Sequence, residues 1–285
     1  MVKHSLASLA QEAGLERVGA RPPLREYLKE TWRRRDFAFT LARYRVEAQL
    51  GSNRLGLGWV VLRPILLAAM FGLVFGLIMP STTRPSNFIP FLVTGVFIFE
   101  FFSTSLSQGA RAITQNVGLV RTLSFPRILL PLATIAQRLI ELVPMMVVLC
   151  LILIAFGEPI TWWWLLTPVV LAVMTAFNLG IALIAARLTV HARDITQVIP
   201  ILTRLIFYSS GIFYSLELVL ADRPNLLRIA QLNPVHDYIA LVRAQLVSGN
   251  AQSGVVWTIA VGAAVTALIA GVFFFWQAEE RYGHE

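Results

Sequence analysis

Residues 59–79 read WVVLRPILLAAMFGLVFGLIM, a run of 21 residues with a single charge, at Arg63. About 20 apolar residues in a helix are enough to cross the hydrocarbon core of a bilayer. Five further runs of comparable length follow at 88–108, 139–156, 162–185, 196–214 and 255–276. The sequence therefore predicts an all-α integral membrane protein with six transmembrane helices.

The composition of the chain agrees with a membrane protein. Of its 285 residues, 56% are hydrophobic and 14% are charged, whereas soluble proteins carry about 25% charged residues. The first apolar run follows 58 polar, arginine-rich residues, which is too late for a secretory signal peptide. The single cysteine, Cys150, lies within a predicted span, which excludes disulfides and cysteine-based metal sites. Attraction to anionic head groups accounts for the net charge of +8, so membrane lipids, and no nucleic acid, are predicted as partners.

Lysine and arginine are distributed unevenly over the segments between the runs. The head through Arg63, the 109–138 and 186–194 loops and the C-terminal tail together hold 19 of them, and the alternate loops hold 4. Cytoplasmic loops carry the excess of positive charge in membrane proteins. The sequence therefore predicts a multi-pass protein of the plasma (inner) membrane with both termini in the cytoplasm.

The chain divides into three predicted parts. Residues 1–23 are predicted to be a flexible cytoplasmic N-terminus, and residues 59–285 are predicted to form the transmembrane domain. Between them, residues 24–58 combine an amphipathic helix, whose leucine and aromatic side chains lie among basic ones, with a glycine-rich elbow. A basic helix with aromatic anchors lies in the plane of the membrane, and closely spaced glycines let the backbone turn. We therefore expect an interface helix that turns sharply into the first span.

Residues 215–253, between the fifth and sixth runs, are apolar in two pieces separated by Asn233-Pro234. Each piece is too short to cross the membrane. Backbone of this kind is tolerated at membrane depth only where protein or water satisfies its polar groups. We expect two short re-entrant helices here.

Signatures of catalysis are missing from the sequence. There is no G-x-x-x-x-G-K-[ST] pattern, so the chain is not predicted to bind ATP, and its four histidines lack metal-ligand spacing. A membrane-embedded transferase is one alternative, and it would need an acid–base or metal-ligating cluster at one membrane face. The sequence offers no such cluster, so neither an enzyme nor a bound cofactor is predicted.

Aromatic and charged side chains mark several of the spans. Rings that share a face of a span are candidates for the lining of a pore. The candidate rings lie in the first span (Phe71, Phe75), the second (Phe97, Phe101) and the fifth (Phe207, Tyr214). Glu100 and Arg204 are intramembrane charges, which cost at least about 2.5 kcal/mol each at a helix centre. They are therefore expected to face a cavity, water or each other.

An ordered set of short motifs on this topology resembles the permease subunits of ABC-2 type polysaccharide exporters, the Wzm and TagG-like family. The resemblance covers most of residues 41–276. One departure is Ser209-Ser210-Gly211, where relatives often have Ser-Pro. The motifs are Arg43-Tyr44-Arg45, Leu55-Gly56 with Trp59 and Pro64, Asn116, Phe125-Pro126-Arg127 with Pro131, Arg193-Asp194, and Asn233-Pro234.

The resemblance implies a transport subunit that forms a homodimer on two copies of a separate ABC ATPase, with ATP and Mg bound by that partner. The implied substrate is a polyprenyl-diphosphate-linked polysaccharide of the O-antigen, teichoic acid or galactan type. The arginine-rich composition favours an actinobacterial exporter of lipid-linked galactan. An ABC-2 permease for drugs or small lipids is the alternative within the same class.

The resemblance also implies roles for particular residues. An elbow of Leu55, Gly56 and Trp59 would border the substrate entrance, and Asn233 and Pro234 would belong to an outer gate. Three arginines bracket the elbow and are our candidates for the substrate diphosphate: Arg45, Arg54 and Arg63. Coupling to the ATPase would involve Asn116, Arg121, Phe125, Pro126, Arg127, Arg193 and Asp194.

Overall fold

The structure, a computed structural model, describes residues 22–52, 58–78, 87–219, 223, 226, 230–250 and 254–280. All regular secondary structure within these ranges is helical. The helices are α1 (Leu24–Arg33), α2 (Arg35–Ser52), α3 (Gly58–Ile78), α4 (Phe88–Ala110), α5 (Val117–Thr122), α6 (Leu129–Ala155), α7 (Thr167–His191), α8 (Ile195–Ser209), α9 (Leu216–Val219), α10 (Pro234–Leu246) and α11 (Gly254–Trp276). Short 3₁₀-helices cover Thr114–Asn116 and Trp162–Leu166. Residues 1–21 and the elbow residues Arg54, Leu55 and Gly56 lie outside the described ranges.

Five helices are long and apolar enough to cross a membrane, and they confirm five of the six predicted spans. The remaining run, 196–214, is helical only over Ile195–Ser209. These 15 residues extend about 22 Å, which is less than the hydrocarbon thickness of about 30 Å. The helix ends where Gly211 adopts a φ of +63°, a left-handed conformation that suits glycine. Where the sequence predicted the fifth of its six spans, at 196–214, the described residues form this shorter apolar helix.

The third span begins earlier than predicted. α6 starts at Leu129 and ends at Ala155, whereas the sequence placed the span at 139–156 and a cytoplasmic loop before it. Pro131 does not interrupt this start, because the N–H groups of a first helical turn have no intrahelical partner to lose. Leu129, Leu130 and Ala133 are completely buried, so packing fixes the additional turns.

α4 is the central helix of the bundle. It packs against α3, α6, α7, α8 and α10, and most of its apolar residues are buried. A helix that is apolar on every side is expected in such a position. Side chains that reach the centre of the bundle therefore lie next to α4.

Two glycines bring α7 and α11 into backbone contact. A Cβ at Gly180 would collide with the backbone of Ala267, and a Cβ at Gly271 would collide with the carbonyl group of Gly180. Small residues of this kind allow close helix packing inside membranes, where lipid offers no hydrophobic driving force. This contact holds the last span against the fourth.

The predicted interface helix consists of two helices, α1 and α2, with a break at Arg34. α2 packs along α6 through the buried side chains of Ala38, Ala42 and Val46. Phe39 and Tyr44 remain exposed. An exposed aromatic face among arginines suits a membrane interface.

Different chain segments are joined by hydrogen bonds at the two ends of the helix bundle. At one end, the indole nitrogen of Trp276 donates to the carbonyl oxygen of Pro22 at 2.9 Å, so both described termini meet there. We call this the terminal end. At the opposite end, Glu158 accepts from the side chain of Asn87 at 2.6 Å and from the N–H of Ser248 at 2.8 Å. These bonds tie together the loop segments that connect the spans at that end.

Candidate functional site

One arginine holds the backbone that follows α8. Residues 210–215 leave the helix, and buried carbonyl groups in such a segment need donors. Arg243 of α10 is 3% exposed. Its guanidinium donates to Gly211 O at 2.9 Å, Ile212 O at 2.7 Å and Phe91 O at 3.0 Å. It also lies 3.3 Å from the centre of the Phe91 ring. A single side chain thus joins α10, α4 and the end of α8.

Gly95 of α4 provides the space for this guanidinium. A Cβ at position 95 would collide with Nη2 of Arg243 and would lie 3.2 Å from Ile212 O. The contacts of Arg243 with Phe91, Gly211 and Ile212, which we call the arginine junction, therefore require a residue without a side chain at Gly95.

Asn233 and Pro234, the predicted outer-gate residues, begin α10. The side-chain oxygen of Asn233 accepts from the N–H of Val235 at 3.1 Å, which caps the helix, and Pro234 occupies the first helical position, which suits it. The amide of Asn233 also donates to the hydroxyl of Ser210 at 2.9 Å. Both ends of α10 are therefore attached to the segment that follows α8.

Aromatic rings gather beside this junction. Phe213 lies at their centre, with its ring stacked on Phe75 at a centroid distance of 4.2 Å. Its centroid lies 6.1 Å from Phe71, 6.0 Å from Phe207 and 5.2 Å from Tyr214. We call these five residues the aromatic cluster. Four of them are predicted pore aromatics. Phe213 was missed because helical spacing, continued to residue 214 past the end of α8, puts it off the face that Phe207 and Tyr214 would share.

The other two predicted pore aromatics lie elsewhere. Phe97 and Phe101 of α4 are 1% and 2% exposed and belong to the core of the protomer. Their neighbour Phe99 contacts the cluster instead, with its ring centroid 5.0 Å from that of Phe207. The structure brings four of the six candidate rings together and leaves these two inside the bundle.

A small polar cavity lies between α3, α4 and α6. Its volume is about 180 Å³, and Trp59, Arg63 and Glu100 are among the lining residues. Arg63 and Glu100 form an ion pair with an N···O distance of 3.6 Å, and the Arg63 side chain is 69% exposed. Glu100 thus meets the expectation that an intramembrane carboxylate faces a cavity.

A second ion pair borders the same cavity. Arg138 and Glu141 also line it and are 2.5 Å apart. The side chain of Gln137 donates to Glu141 at 3.0 Å. Both charges of this pair are buried, where removing one partner leaves an uncompensated charge. The cavity wall is therefore fixed by paired charges.

Arg204 has a different environment. It lies on α8 with its side chain exposed, beside the strongly exposed Ile201 and Leu205. Among the described residues no ion-pair partner of Arg204 is found. This exposed, charged face of an apolar helix is expected to border water or another protein surface.

Arg45, a predicted diphosphate ligand, makes two bonds to other helices. Its guanidinium donates to Asn116 at 3.0 Å and to the hydroxyl of Thr134 on α6 at 3.1 Å. Burial, and to a lesser degree the nearby charge of Arg138, lowers the pKa of Arg45 below its usual value. The sequence grouped Arg45 with substrate and Asn116 with coupling, but their contact joins α2 to the segment before α5.

A basic cleft brings residues of two connecting segments together at the end of α5. Arg111, Arg121 and Arg193 line a cavity of about 360 Å³ whose described lining contains no acidic side chain. Arg121 and Arg193 were both predicted to couple the ATPase, and Asp194 is exposed next to them, directly before α8. This surface is electrostatically complementary to an acidic partner.

The Phe125-Pro126-Arg127 motif lies at a three-way junction of the terminal end. The Phe125 ring packs against Phe37 of α2 with centroids 5.1 Å apart. The N–H of Arg127 donates to Glu279 at 2.9 Å, and the hydroxyl of Tyr27 donates to the same carboxylate at 2.8 Å. Burial raises the pKa of Glu279 above its usual value. The sequence offered no signal for this contact, since Glu279 lies 152 residues from Arg127 and 252 residues from Tyr27.

The described residues contain no group of three or more His, Cys, Asp or Glu that could hold a metal ion. Buried acidic side chains such as Glu141 instead form ion pairs, here with Arg138. The described residues thus form a bundle of membrane-length helices with a polar cavity and a basic cleft toward the terminal end. The aromatic cluster lies beside the arginine junction.

A family model for the ABC-2 type transporter matches residues 38–247 of this chain. The chain belongs to the ABC-2 type transporter family. Permease subunits of this family lack the ATPase domain, bind no cofactor themselves and associate with an ABC ATPase subunit. The family assignment confirms the resemblance that the sequence motifs indicated.

This ABC-2 permease is related to polysaccharide export proteins. It is 27% identical to the O-antigen export system permease protein RfbA of Myxococcus xanthus over 208 residues. These residues cover 73% of this chain and 79% of that protein. It is 25% identical over 170 residues to RfbA of Klebsiella pneumoniae, 59% of this chain and 64% of that protein. The match to the polysialic acid transport protein KpsM of Escherichia coli is 26% over 244 residues, 82% of this chain and 90% of that protein.

Proposed function

We propose that this permease exports a polyprenyl-diphosphate-linked polysaccharide from the cytoplasm across the plasma membrane. The observation that carries the proposal is the similarity to two kinds of polysaccharide export permease, which extends over most of the chain. The aromatic cluster supports it, because rings can contact the C–H faces of passing sugars without binding them tightly. The glycan is of the O-antigen, teichoic acid or galactan type, and the arginine-rich composition favours galactan.

The charge distribution supports an orientation with the terminal end in the cytoplasm, since 19 of the lysines and arginines lie on that set of segments and 4 on the alternate set. The working unit in this proposal is a homodimer. Arg204 supports it, because an exposed arginine on an apolar helix is costly against lipid. A water-filled path between two protomers would provide a favourable environment for that face.

Arg63 is the best-supported diphosphate ligand of the three proposed arginines. Its side chain is 69% exposed and its only described ion pair, with Glu100, is loose at 3.6 Å. Arg45 already donates to Asn116 and Thr134, and we assign it to joining helices. Arg54, with Leu55 and Gly56, remains a proposed part of the substrate entrance beside Trp59.

The basic cleft is the proposed docking surface for the ATPase subunit. Arg121 and Arg193 stand on separate connecting segments and line one cavity, so an inserted partner surface would contact both. The Phe125-Pro126-Arg127 junction would then transmit movement to α2 and to the C-terminal residues. Replacing Arg121 and Arg193 together with glutamate should prevent copurification of the ATPase, because like charges would face its acidic surface.

The cellular test of the proposal is depletion of this permease. Lipid-linked polysaccharide should accumulate on the cytoplasmic side and surface glycan should fall, as measured by lipid extraction and surface labelling. An R54E/R63E variant should reproduce this phenotype while the purified chain keeps its dimeric mass. Normal surface glycan after depletion would refute the polysaccharide assignment, and loss of a drug or small lipid from the export profile would favour the alternative cargo.

A further inference from the structure

A pocket of about 610 Å³ opens at the opposite end of the bundle, between the Trp162–Leu166 turn, the last residues of α10 and the start of α11. It shares no lining residue with the aromatic cluster or with the polar cavity. Pockets of about 300–1,000 Å³ with apolar walls and a few polar groups are typical of small-ligand sites. The basic cleft, proposed above as the ATPase docking surface, shares no lining residue with it either.

Three tryptophans line the pocket: Trp163, Trp164 and Trp257. Trp164 and Trp257 are half-buried and packed against the main hydrophobic core, so their rings are held in position. Trp163 is 63% exposed at the rim. Tryptophan commonly anchors proteins at the membrane interface, but anchoring alone needs no concave arrangement of three rings around one space.

Hydrogen bonds fix the part of the pocket lining that follows α10. Ser248 donates its N–H to the buried carboxylate of Glu158 at 2.8 Å, and Glu158 also accepts from Asn87 at 2.6 Å. The side-chain nitrogen of Asn250, which lines the pocket, donates to the carbonyl oxygen of Ser248 at 3.2 Å. The pocket is therefore preorganised, which lowers the entropic cost of binding.

An unsatisfied acceptor lies in the pocket wall. Gln245 of α10 is 7% exposed and lines the pocket, and its Oε1 has no hydrogen-bond partner among the described residues. A buried acceptor without a donor is costly, and native proteins rarely keep one without a reason. The oxygen itself is covered by protein, so a ligand hydroxyl would supply the donor once the amide of Gln245 turns toward the pocket.

The lining also restricts the chemistry of the ligand. It contains aromatic rings, amides and the hydroxyl-bearing Thr161, and none of its described residues is charged. A phosphate or other anionic head group would need cationic partners, which this lining lacks. Rings that stack on C–H faces, together with amides that bond hydroxyls, suit an uncharged sugar.

We propose that this pocket binds a neutral sugar unit at the outer face of the membrane. That the sugar belongs to the exported chain, and that this end faces outward, rest on the proposed function; the binding of a neutral sugar does not. An outer-face site of this kind would hold a segment of glycan as it leaves the permease.

The test uses the full chain in nanodiscs of neutral lipid, with neutral disaccharides of galactose, glucose, mannose and rhamnose as probes. Saturable quenching of tryptophan fluorescence and saturation-transfer NMR report binding. We expect Q245M, which keeps the side-chain volume and removes the acceptor, to weaken binding at least tenfold. Its thermal unfolding temperature should stay equal or rise, because the unsatisfied oxygen is gone. W257F should also weaken binding.

Trp162 provides the matched control, since it neighbours Trp163, is 86% exposed and does not line the pocket. W162F should bind the probes like the unmodified protein. The proposal is overturned if no probe binds saturably, or if Q245M and W257F bind as well as W162F. It is also overturned if changing the lipid head group of the nanodisc alters the fluorescence of the pocket tryptophans and the disaccharides do not compete with that lipid. Because the probes are free sugars, this result is independent of whether permease depletion blocks glycan export.

Discussion

The arginine junction predicts a large local effect of the substitution R243M. The guanidinium of Arg243 donates to three carbonyl groups at 2.7 to 3.0 Å and is almost fully buried. Methionine would keep much of the volume and leave the carbonyl groups of Gly211 and Ile212 without their described donor, whereas Phe91 O lies within α4 and keeps its helical bond. A buried unsatisfied acceptor costs about 1–3 kcal/mol. Removing an isolated buried charge recovers part of that cost, so we take about 1.5 kcal/mol for each of these two carbonyls, about 3 kcal/mol in total.

A change of about 3 kcal/mol corresponds to roughly a hundredfold increase in local opening. Hydrogen–deuterium exchange on the purified protein should show this acceleration in residues 207–215 and in α10, with little change in α7 or α11. R204M is the control, because it removes an exposed arginine of α8 for which the described residues offer no ion-pair partner. Exchange in R243M that matches R204M within about threefold would refute the structural role of Arg243.

Three further predictions concern other parts of the molecule. Burial raises the pKa of Glu279 above its usual 4.5, so this group's contribution to stability is fully present below pH 4.5 and is lost as the pH rises through the raised value. E279Q should therefore flatten the dependence of the unfolding temperature on pH above 4.5. An unchanged slope would contradict this. G271A should destabilise by about 1–3 kcal/mol because its Cβ meets the backbone of α7, whereas G262A on the same helix meets open space, and equal unfolding temperatures for the two would disprove the close contact. R63Q should change stability by less than about 1 kcal/mol, since the pair of Arg63 with Glu100 is long and largely exposed on the arginine side. It should nevertheless abolish glycan export, and recovery of export in R63E/E100R would show that the pair, and not diphosphate binding, is what matters.

The long helices were predictable because they depend on local composition alone. An apolar run longer than the bilayer is thick specifies a span wherever it lies in the chain. The run 196–214 has the right composition but is helical only over Ile195–Ser209. Its end depends on the conformation of Gly211 and on hydrogen bonds from Arg243, about 30 residues later. No local pattern contains that partner.

The sequence indicated which kinds of residue form the site better than it indicated which residues contact one another. Helical spacing placed Phe71 and Phe75 on one face of α3, but the distance of 5.2 Å between the Phe71 and Phe207 rings was visible only in the structure. α4 is apolar on all sides, so spacing could not show that Phe97 faces the core. The contact between Tyr27 and Glu279 joins residues 252 positions apart, and only the folded chain brings them together.

The most direct test of the central claim is reconstituted transport. Proteoliposomes would contain this permease, its ATPase subunit and a polyprenyl-diphosphate-linked glycan labelled on the sugar. Accessibility of the label to a membrane-impermeant glycosidase would be followed after ATP is added. The proposed function predicts that the label moves to the leaflet opposite the ATPase, only with ATP and only with the permease present. An unchanged distribution of glycan across the leaflets, in complexes that hydrolyse ATP, would contradict it.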